Sequence, residues 1–288
     1  MIFNQMTSTQ QRWVGGAIAG SISLLVILLS QMPIFKVVTT ACFATAFAVA
    51  MHEFYNIAYA KGLQPAAGLG IAAGVLYTCT VTLSTQYIAL EFMPEAFLLA
   101  TLIGFFLYYF FKGQSPFINL ATTIFGLIYL AIPLSCMLRI TYFFSLSNVQ
   151  DGRWWIFYLI AVTKLTDTAA FVIGRQFGLQ KLAPYISPKK TWEGAIGGLV
   201  AAVGVSALIT LVATIMHADF SLTLWQSLWL GAGIGILGQY GDLAESLLKR
   251  DGGIKDSSQL PGLGGLLDIV DSLVFTSPLV YFFLKAYT

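Results

Sequence analysis

Long continuous apolar runs dominate the chain, and short polar segments separate them. A hydrocarbon core of roughly 30 Å needs about 20 apolar residues per helix, and about nine runs of that length are present. The runs are rich in Ala, Leu, Ile and Gly and lack the alternating polarity of a transmembrane β-strand. The pattern therefore predicts an all-α fold, a polytopic membrane helical bundle. The predicted spans are 13–32, 37–59, 65–85, 93–111, 118–140, 155–178, 194–216, 225–247 and 266–285.

Composition agrees with this pattern. Of the 288 residues, 57% are hydrophobic and only 10% are charged, whereas an ordinary soluble domain carries about 25% charged residues. Arg12 is the only basic residue before the first long run, which contains no small-residue cleavage signal. We therefore expect the first helix to be retained rather than removed as a signal peptide.

The basic residues outside the spans are unevenly distributed. Nine spans would put ten of these residues on one side and four on the other, and the positive-inside rule assigns the richer side to the cytoplasm. We expect a multi-pass protein of the inner (cytoplasmic) membrane, with its polar connections 174–194 and 249–272 facing the cytoplasm. The richer side carries Arg12, Lys61, Lys112, Arg175, Lys181, Lys189, Lys190, Lys249, Arg250 and Lys255, and the other carries Lys36, Arg139, Arg153 and Lys285.

Ionisable residues divide the chain into two regions. Residues 1–150 form a predicted N-terminal transmembrane scaffold. Its one exception is His52-Glu53, which we interpret as a buried structural pair, with contact to a substrate headgroup as the alternative. Residues 151–288 form a predicted catalytic region, because charges at membrane depth are costly and usually mark a functional interior. Each charged pair there is spaced i, i+3, which puts both members on one helix face. The pairs are Lys164 with Asp167, Asp242 with Glu245, and Asp268 with Asp271.

Four carboxylates within thirty residues predict a metal site. Mg²⁺ takes oxygen ligands, usually one or two carboxylates together with substrate phosphates, and a second cation would suit so many acids. The alternative is that the carboxylates are solvated or paired with nearby basic residues. The predicted ligands are Asp242, Glu245, Asp268 and Asp271, and the alternative basic partners are Lys249, Arg250 and Lys255.

Two further segments are typical of phosphate binding. In "SPKK" (187–190), Ser187 suits a helix N-cap and Pro188 a first helical turn, where amides attract anions. In "LPGLGGLLD" (260–268), the glycines allow backbone amides to approach a ligand closely. A cytoplasmic topology signal and a plain helix entry are the respective alternatives. "GIGILG" (233–238) and "GAIGG" (194–198) lie within apolar runs and predict close helix packing.

Three stretches resemble phosphatidate cytidylyltransferases, also called CDP-diacylglycerol synthases. They are "SLLKRDGGIKDSSQLPGLGGLLDIVDS" (246–272), "DTAAFVIGRQFG" from Asp167, and "SPKKTWEG" from Ser187. The resemblance is firm over 155–288. The family pattern has His where this chain has Leu263 and Arg where it has Ile269.

The resemblance implies transfer of a cytidylyl group from CTP to phosphatidate with Mg²⁺, in a cavity open to the cytoplasm and the membrane. The expected partners are then CTP, phosphatidate and membrane lipid but not nucleic acid, and the protein could form a homodimer. The implied catalytic residues are Asp242, Asp268, Asp271 and Lys255. The implied substrate-binding residues are Asp167, Ser187, Lys189, Lys190, Glu193, Lys249, Arg250, Asp256, Gly264 and Gly265.

Two other functions fit charges within membrane spans. Intramembrane acids and lysines also mark ion pathways, so an ion-coupled transporter is one alternative. A CTP-dependent polyprenol or phytol kinase is the other, because it would use the same polar region.

Overall fold

The computed structural model describes residues 25–113, 115–145, 150–254 and 265–287. These ranges form a helical bundle with two short antiparallel hairpins. The helices are α1 (Pro33–Ala60), α2 (Ala67–Gln86), α3 (Met93–Lys112), α4 (Pro116–Gly126), α5 (Ile132–Thr141), α6 (Gly152–Phe177), α7 (Trp192–Ile215), α8 (Leu224–Asp251) and α9 (Leu266–Tyr287). A 3-10 turn (Ile88–Leu90) precedes α3, and a π-helical turn (Leu127–Ala131) joins α4 to α5. The strands are β1 (Phe144–Ser145), β2 (Gln150–Asp151), β3 (Lys181–Ala183) and β4 (Ser187–Thr191).

The described ranges contain seven helices that are long and apolar enough to cross a membrane, and these agree with the predicted architecture. Helix α8 is 28 residues long but is not one of the seven, because glycines, two glutamines and several charges dilute its apolar residues. Most of the predicted first span, 13–32, lies outside the described residues. The boundary near residue 150 stays a prediction.

Tyr55 anchors the packing of the first region. Its ring lies fully buried between α2 and α4, where a Cβ atom at Gly70 or Gly126 would come within 3.0 Å of it. Its hydroxyl donates to the Thr123 carbonyl oxygen at 2.8 Å. Glycines thus make room for one large aromatic side chain that joins three helices.

Small residues hold the second region together. A Cβ atom added at Gly198 would lie 2.9 Å from the Cβ of Ala170, and one at Gly235 would lie 2.8 Å from the Cβ of Ala202. The first contact joins α7 to α6 and the second joins α8 to α7. The predicted close packing of the two glycine motifs is therefore confirmed.

The bundle has two chemically different ends. At the far end, Arg139 lies 3.9 Å from Glu95, and Tyr142 donates to the Lys36 carbonyl oxygen at 3.2 Å. The site end is formed by the C-terminal parts of α1, α6 and α8, the N-terminal parts of α7 and α9, and the β3–β4 hairpin. The charged residues of α8 and most of those predicted for the site lie at the site end.

Candidate active site

Lys249 joins two acidic side chains on neighbouring helices. Its Nζ atom lies 2.5 Å from Oε2 of Glu245, one turn earlier on α8, and 2.6 Å from Oδ1 of Asp268 on α9. Both acids belong to the predicted metal set, and Lys249 was among the alternative partners. The structure therefore shows the ion pairing that the alternative describes, at the place where the two helices meet.

Lys190 forms a second ion pair at the site end, with Asp242. Its Nζ atom lies 2.8 Å from Oδ2 of Asp242 and also donates to the Gln239 carbonyl oxygen at 3.4 Å. Ser246 Oγ donates to the other carboxylate oxygen of Asp242 at 3.4 Å. The β3–β4 hairpin thereby brings a cation to α8.

The "SPKK" segment is a strand, so the predicted helix start at Ser187 is wrong. Ser187 pairs with Ala183 in the hairpin, and the N-cap of α7 is Thr191, whose Oγ1 accepts from the Gly194 amide at 3.2 Å. Neighbouring side chains on a strand point to opposite faces. This alternation explains why Lys190 reaches Asp242 while Lys189 is exposed.

A third polar cluster connects α6 with α9. Lys164 Nζ lies 3.6 Å from Oδ2 of Asp167 and donates to Ser272 Oγ at 3.1 Å and to the Ile269 carbonyl oxygen at 2.6 Å. Ser272 Oγ donates in turn to Asp167 Oδ2 at 3.2 Å. Asp167 of α6 therefore packs against the turn of α9 that carries Asp268 and Asp271.

Carboxylates already bind the described amides at the start of α9. The Gly265 amide donates to Oδ2 of Asp268 at 3.0 Å, and the amides of Leu266 and Leu267 donate to Glu53 at 3.1 and 2.7 Å. Glu53 is buried, as predicted, but His52 is exposed, so the two are not a buried pair. The expected binding of substrate phosphate at Gly265 would have to displace Asp268.

Asp271 is buried beneath these groups, and one of its carboxylate oxygens accepts from the Ser272 amide. The next residue, Ser272, contacts both Lys164 and Asp167. Helices α8 and α9 are very close at this point, since a Cβ atom at Gly241 would lie 2.4 Å from the Asp271 carbonyl oxygen. The carboxylates of the three predicted pairs thus meet at the site end.

Several other predicted residues hold the hairpin. Glu193 accepts from the Gln180 amide at 3.2 and 3.3 Å, and Arg250 Nε donates to the Ile186 carbonyl oxygen at 3.2 Å. These contacts tie both ends of the hairpin to α7 and α8. Lys255, Asp256, Gly264 and Leu263 lie outside the described residues.

The possible metal donors at the site end are carboxylate oxygens. Within the described residues, no group of three or more His, Cys, Asp or Glu is already arranged to hold a metal ion. Mg²⁺ usually needs only one or two carboxylates plus substrate phosphates, and the side chains of Asp242 and Asp268 are 38% and 30% exposed. Oε1 of Glu245 is buried without a hydrogen-bond partner in the described part of the chain. The donors therefore fit a magnesium ion that binds together with a phosphate ligand.

Comparison with known proteins decides the family. A model of the cytidylyltransferase family matches residues 10–287. The chain belongs to this family. Residues that the family model spans include all the clusters described above, from Glu53 to Ser272.

Individual relatives extend this result. A phosphatidate cytidylyltransferase of Chlamydia pneumoniae is 31% identical over 273 residues, which cover 91% of this chain and 88% of the relative. Phosphatidate cytidylyltransferases of Chlamydia trachomatis and Staphylococcus haemolyticus are 37% and 39% identical, over 58% and 59% of this chain and 55% and 60% of their own lengths. The first similarity covers both regions of the chain.

Proposed function

We propose that this protein transfers the cytidylyl group of CTP to phosphatidate, giving CDP-diacylglycerol and pyrophosphate. The observation that carries the proposal is the meeting of Lys190–Asp242 with Glu245–Lys249–Asp268 at one end of a membrane bundle. Such a site supplies cations for phosphates and carboxylates for a metal ion. The family and the names of the relatives support this reaction over a lipid kinase or an ion-coupled transporter.

The chemistry requires little beyond positioning. Phosphatidate is itself a phosphate monoester, so its oxygen can attack the α-phosphorus of CTP without a strong base, and pyrophosphate leaves in line. Catalysis then depends on orientation and on neutralising the charge of the phosphates. The side chains of Lys190 and Lys249 would contact phosphate oxygens by exchanging a carboxylate partner for the substrate.

We assign the metal to the carboxylates. Asp242 and Asp268 are the leading ligands, with Asp271 and Glu245 behind them, and a second cation is compatible with this set. Mg²⁺, when bound there, supplies positive charge to the phosphate oxygens of the substrates. Lys190 and Lys249 would hold these carboxylates in place before the substrates bind.

The site end would face the cytoplasm. It carries Lys61, Lys190, Lys249 and Arg250, in agreement with the positive-inside rule, and CTP is a cytoplasmic nucleotide. In a bacterium the protein would lie in the inner membrane, where its lipid substrate reaches the site laterally.

The direct test is substitution of Asp268. Membranes containing the Asp268→Ala variant should form CDP-diacylglycerol from CTP and phosphatidate at least about a hundredfold more slowly than wild type. The substitution removes both a carboxylate ligand of the proposed metal ion and the partner of Lys249 on α9. Lys36→Ala, at the far end, is the control and should retain activity. Undiminished activity of Asp268→Ala would reject the site.

A further inference from the structure

Lys164 is a cation in an unusual position. It lies midway along α6, in a helix apolar enough to span the membrane, where an ammonium group is costly unless it has partners. Its Nζ atom has three, the Ile269 carbonyl oxygen, Ser272 Oγ and Asp167. Two of these three belong to the first turns of α9.

The three polar side chains form a closed ring. Lys164 donates to Ser272, Ser272 donates to Asp167, and the carboxylate of Asp167 faces the ammonium group of Lys164. The side chains of Lys164 and Asp167 remain 37% and 32% exposed, so the ring lies at the surface of the bundle rather than in its packed core. Its contacts with Ile269 and Ser272 put it on the same turns of α9 that carry Asp268 and Asp271, so a ligand bound by these acids would lie next to the ring.

Helix α9 supplies no cation of its own there. Position 269 lies between Asp268 and Asp271 and carries the alkyl side chain of Ile269, which is 40% exposed, and the only basic residue of α9 is Lys285 in its last turn. The ammonium group of Lys164 is instead 2.6 Å from the carbonyl oxygen of that same residue. The neighbouring helix thus brings a positive charge to the acidic turn of α9.

The balance of charge shows why this matters. Acids outnumber lysines at the site, and a nucleotide triphosphate adds more negative charge, so each lysine lowers the repulsion that the substrate meets. Lys190 and Lys249 are held by Asp242 and by Glu245 with Asp268. The acids of the three clusters are Asp167, Asp242, Glu245, Asp268 and Asp271, and their lysines are Lys164, Lys190 and Lys249, whereas the exposed Lys189 and Arg250, which binds the Ile186 carbonyl oxygen, belong to none of the three.

We propose that Lys164 is a positioning residue for nucleotide binding: it holds Asp167 against α9 and supplies, from α6, the positive charge that α9 lacks at position 269. The proposal rests on the proposed function for the identity of the nucleotide, CTP. It predicts that the cation is needed at this place, whichever of the two helices carries it.

The test moves the charge from one helix to the other. Lys164→Met keeps the length of the side chain and should raise the KM for CTP about tenfold or more, because the carboxylate of Asp167 then repels the phosphates. Lys164→Arg should stay within about threefold of wild type. The double variant Lys164→Met/Ile269→Arg should recover most of the lost CTP affinity, because the long arginine side chain restores a cation at the same turn. Lys36→Met is the far-end control and should not change the KM.

A second measurement separates this proposal from the proposed function. The dissociation constant of CTP with Mg²⁺ is measured for the same purified variants, without phosphatidate and without turnover. If wild type does not form CDP-diacylglycerol, the proposed function fails, and the order of CTP affinities still tests Lys164. The proposal would be overturned if Lys164→Met binds CTP within twofold of wild type. It would also be overturned if the double variant does not recover CTP affinity while Lys164→Arg binds CTP normally, or if the wild type does not bind CTP.

Discussion

Glu53 of α1 lies 2.7 Å from the backbone amide of Leu267, and its second oxygen accepts from the Leu266 amide. The carboxylate thus caps the start of α9 from a helix more than 200 residues away in sequence. The positive end of the α9 dipole favours this contact, which also fixes the turn that carries Asp268. The N-terminal region therefore positions the site as well as spanning the membrane.

Replacement of Glu53 should weaken the whole bundle. In Glu53→Gln, a neutral amide with a single acceptor oxygen replaces the carboxylate, and one buried amide loses its partner. We expect a loss of about 1–3 kcal/mol in the free energy of unfolding, measured as a lower Tm in detergent, together with lower activity. Glu95→Gln at the far end removes a long, 3.9 Å ion pair in which the Glu95 side chain is 70% exposed, and it should cost less than about 1 kcal/mol. Equal Tm values for the two variants would contradict the capping role.

Lys249 should matter more for stability than Lys61. Lys249→Met leaves the carboxylate of Glu245, 1% exposed, and that of Asp268 without their shared cation, and breaking a buried pair costs about 3–5 kcal/mol. Lys61→Met removes the exposed ion pair with Asp251, which is worth about 1 kcal/mol or less. Thermal unfolding of the two variants side by side measures the difference. A Lys249→Met protein as stable as Lys61→Met would show that Glu245 and Asp268 do not need the cation.

Gly241 should accept no side chain. A Cβ atom there would lie 2.4 Å from the backbone carbonyl oxygen of Asp271, so Gly241→Ala must push α8 away from α9 at the site itself. We expect destabilisation of about 1–3 kcal/mol and a loss of activity of tenfold or more. Gly204→Ala on α7 is the matched control, because, apart from its own stretch of helix, no described atom lies within 4 Å of its Cβ position. That variant should be neutral or slightly more stable.

Removal of divalent cations should abolish activity reversibly. The carboxylates and substrate phosphates of the proposed site need Mg²⁺ between them, because otherwise they repel each other. EDTA should stop CDP-diacylglycerol formation, and added Mg²⁺ should restore it. Asp242→Asn should raise the Mg²⁺ concentration that gives half-maximal activity, whereas Lys36→Ala should not. Full activity in excess EDTA would contradict the metal assignment.

Hydrophobic length and charge pattern were sufficient to predict the bundle. Runs of about 20 apolar residues predicted the positions of the helices within a few residues, because the bilayer sets the length of a span, although the one predicted span 118–140 contains both α4 and α5 with the π-helical turn between them. The i, i+3 spacing of the charged pairs also predicted that both members of each pair share one helix face, since helical geometry is local. The pairing of Lys190 with Asp242 was not predictable, because the two residues meet only through a hairpin and a helix crossing.

Three features needed the structure for physical reasons. "SPKK" carries two local signals of a helix start, Ser187 and Pro188, but pairing with Lys181–Ala183 makes it a strand, so a tertiary contact overrides the local preference. Glu53 could be identified as a costly buried charge, but its amide partners on α9 could not. Lys164 was visible as a charge within a span, and only the folded chain shows that it reaches Ile269.

The position of a radiolabel tests most directly whether this protein transfers a cytidylyl group. Membranes containing the wild-type protein are incubated with phosphatidate and Mg²⁺, and with CTP labelled either at the α-phosphate or at the γ-phosphate. Label should enter the lipid fraction from the α-labelled nucleotide only, and the γ-label should appear in pyrophosphate. Transfer of the γ-label to lipid, or no CTP-dependent lipid product at all, would contradict the account.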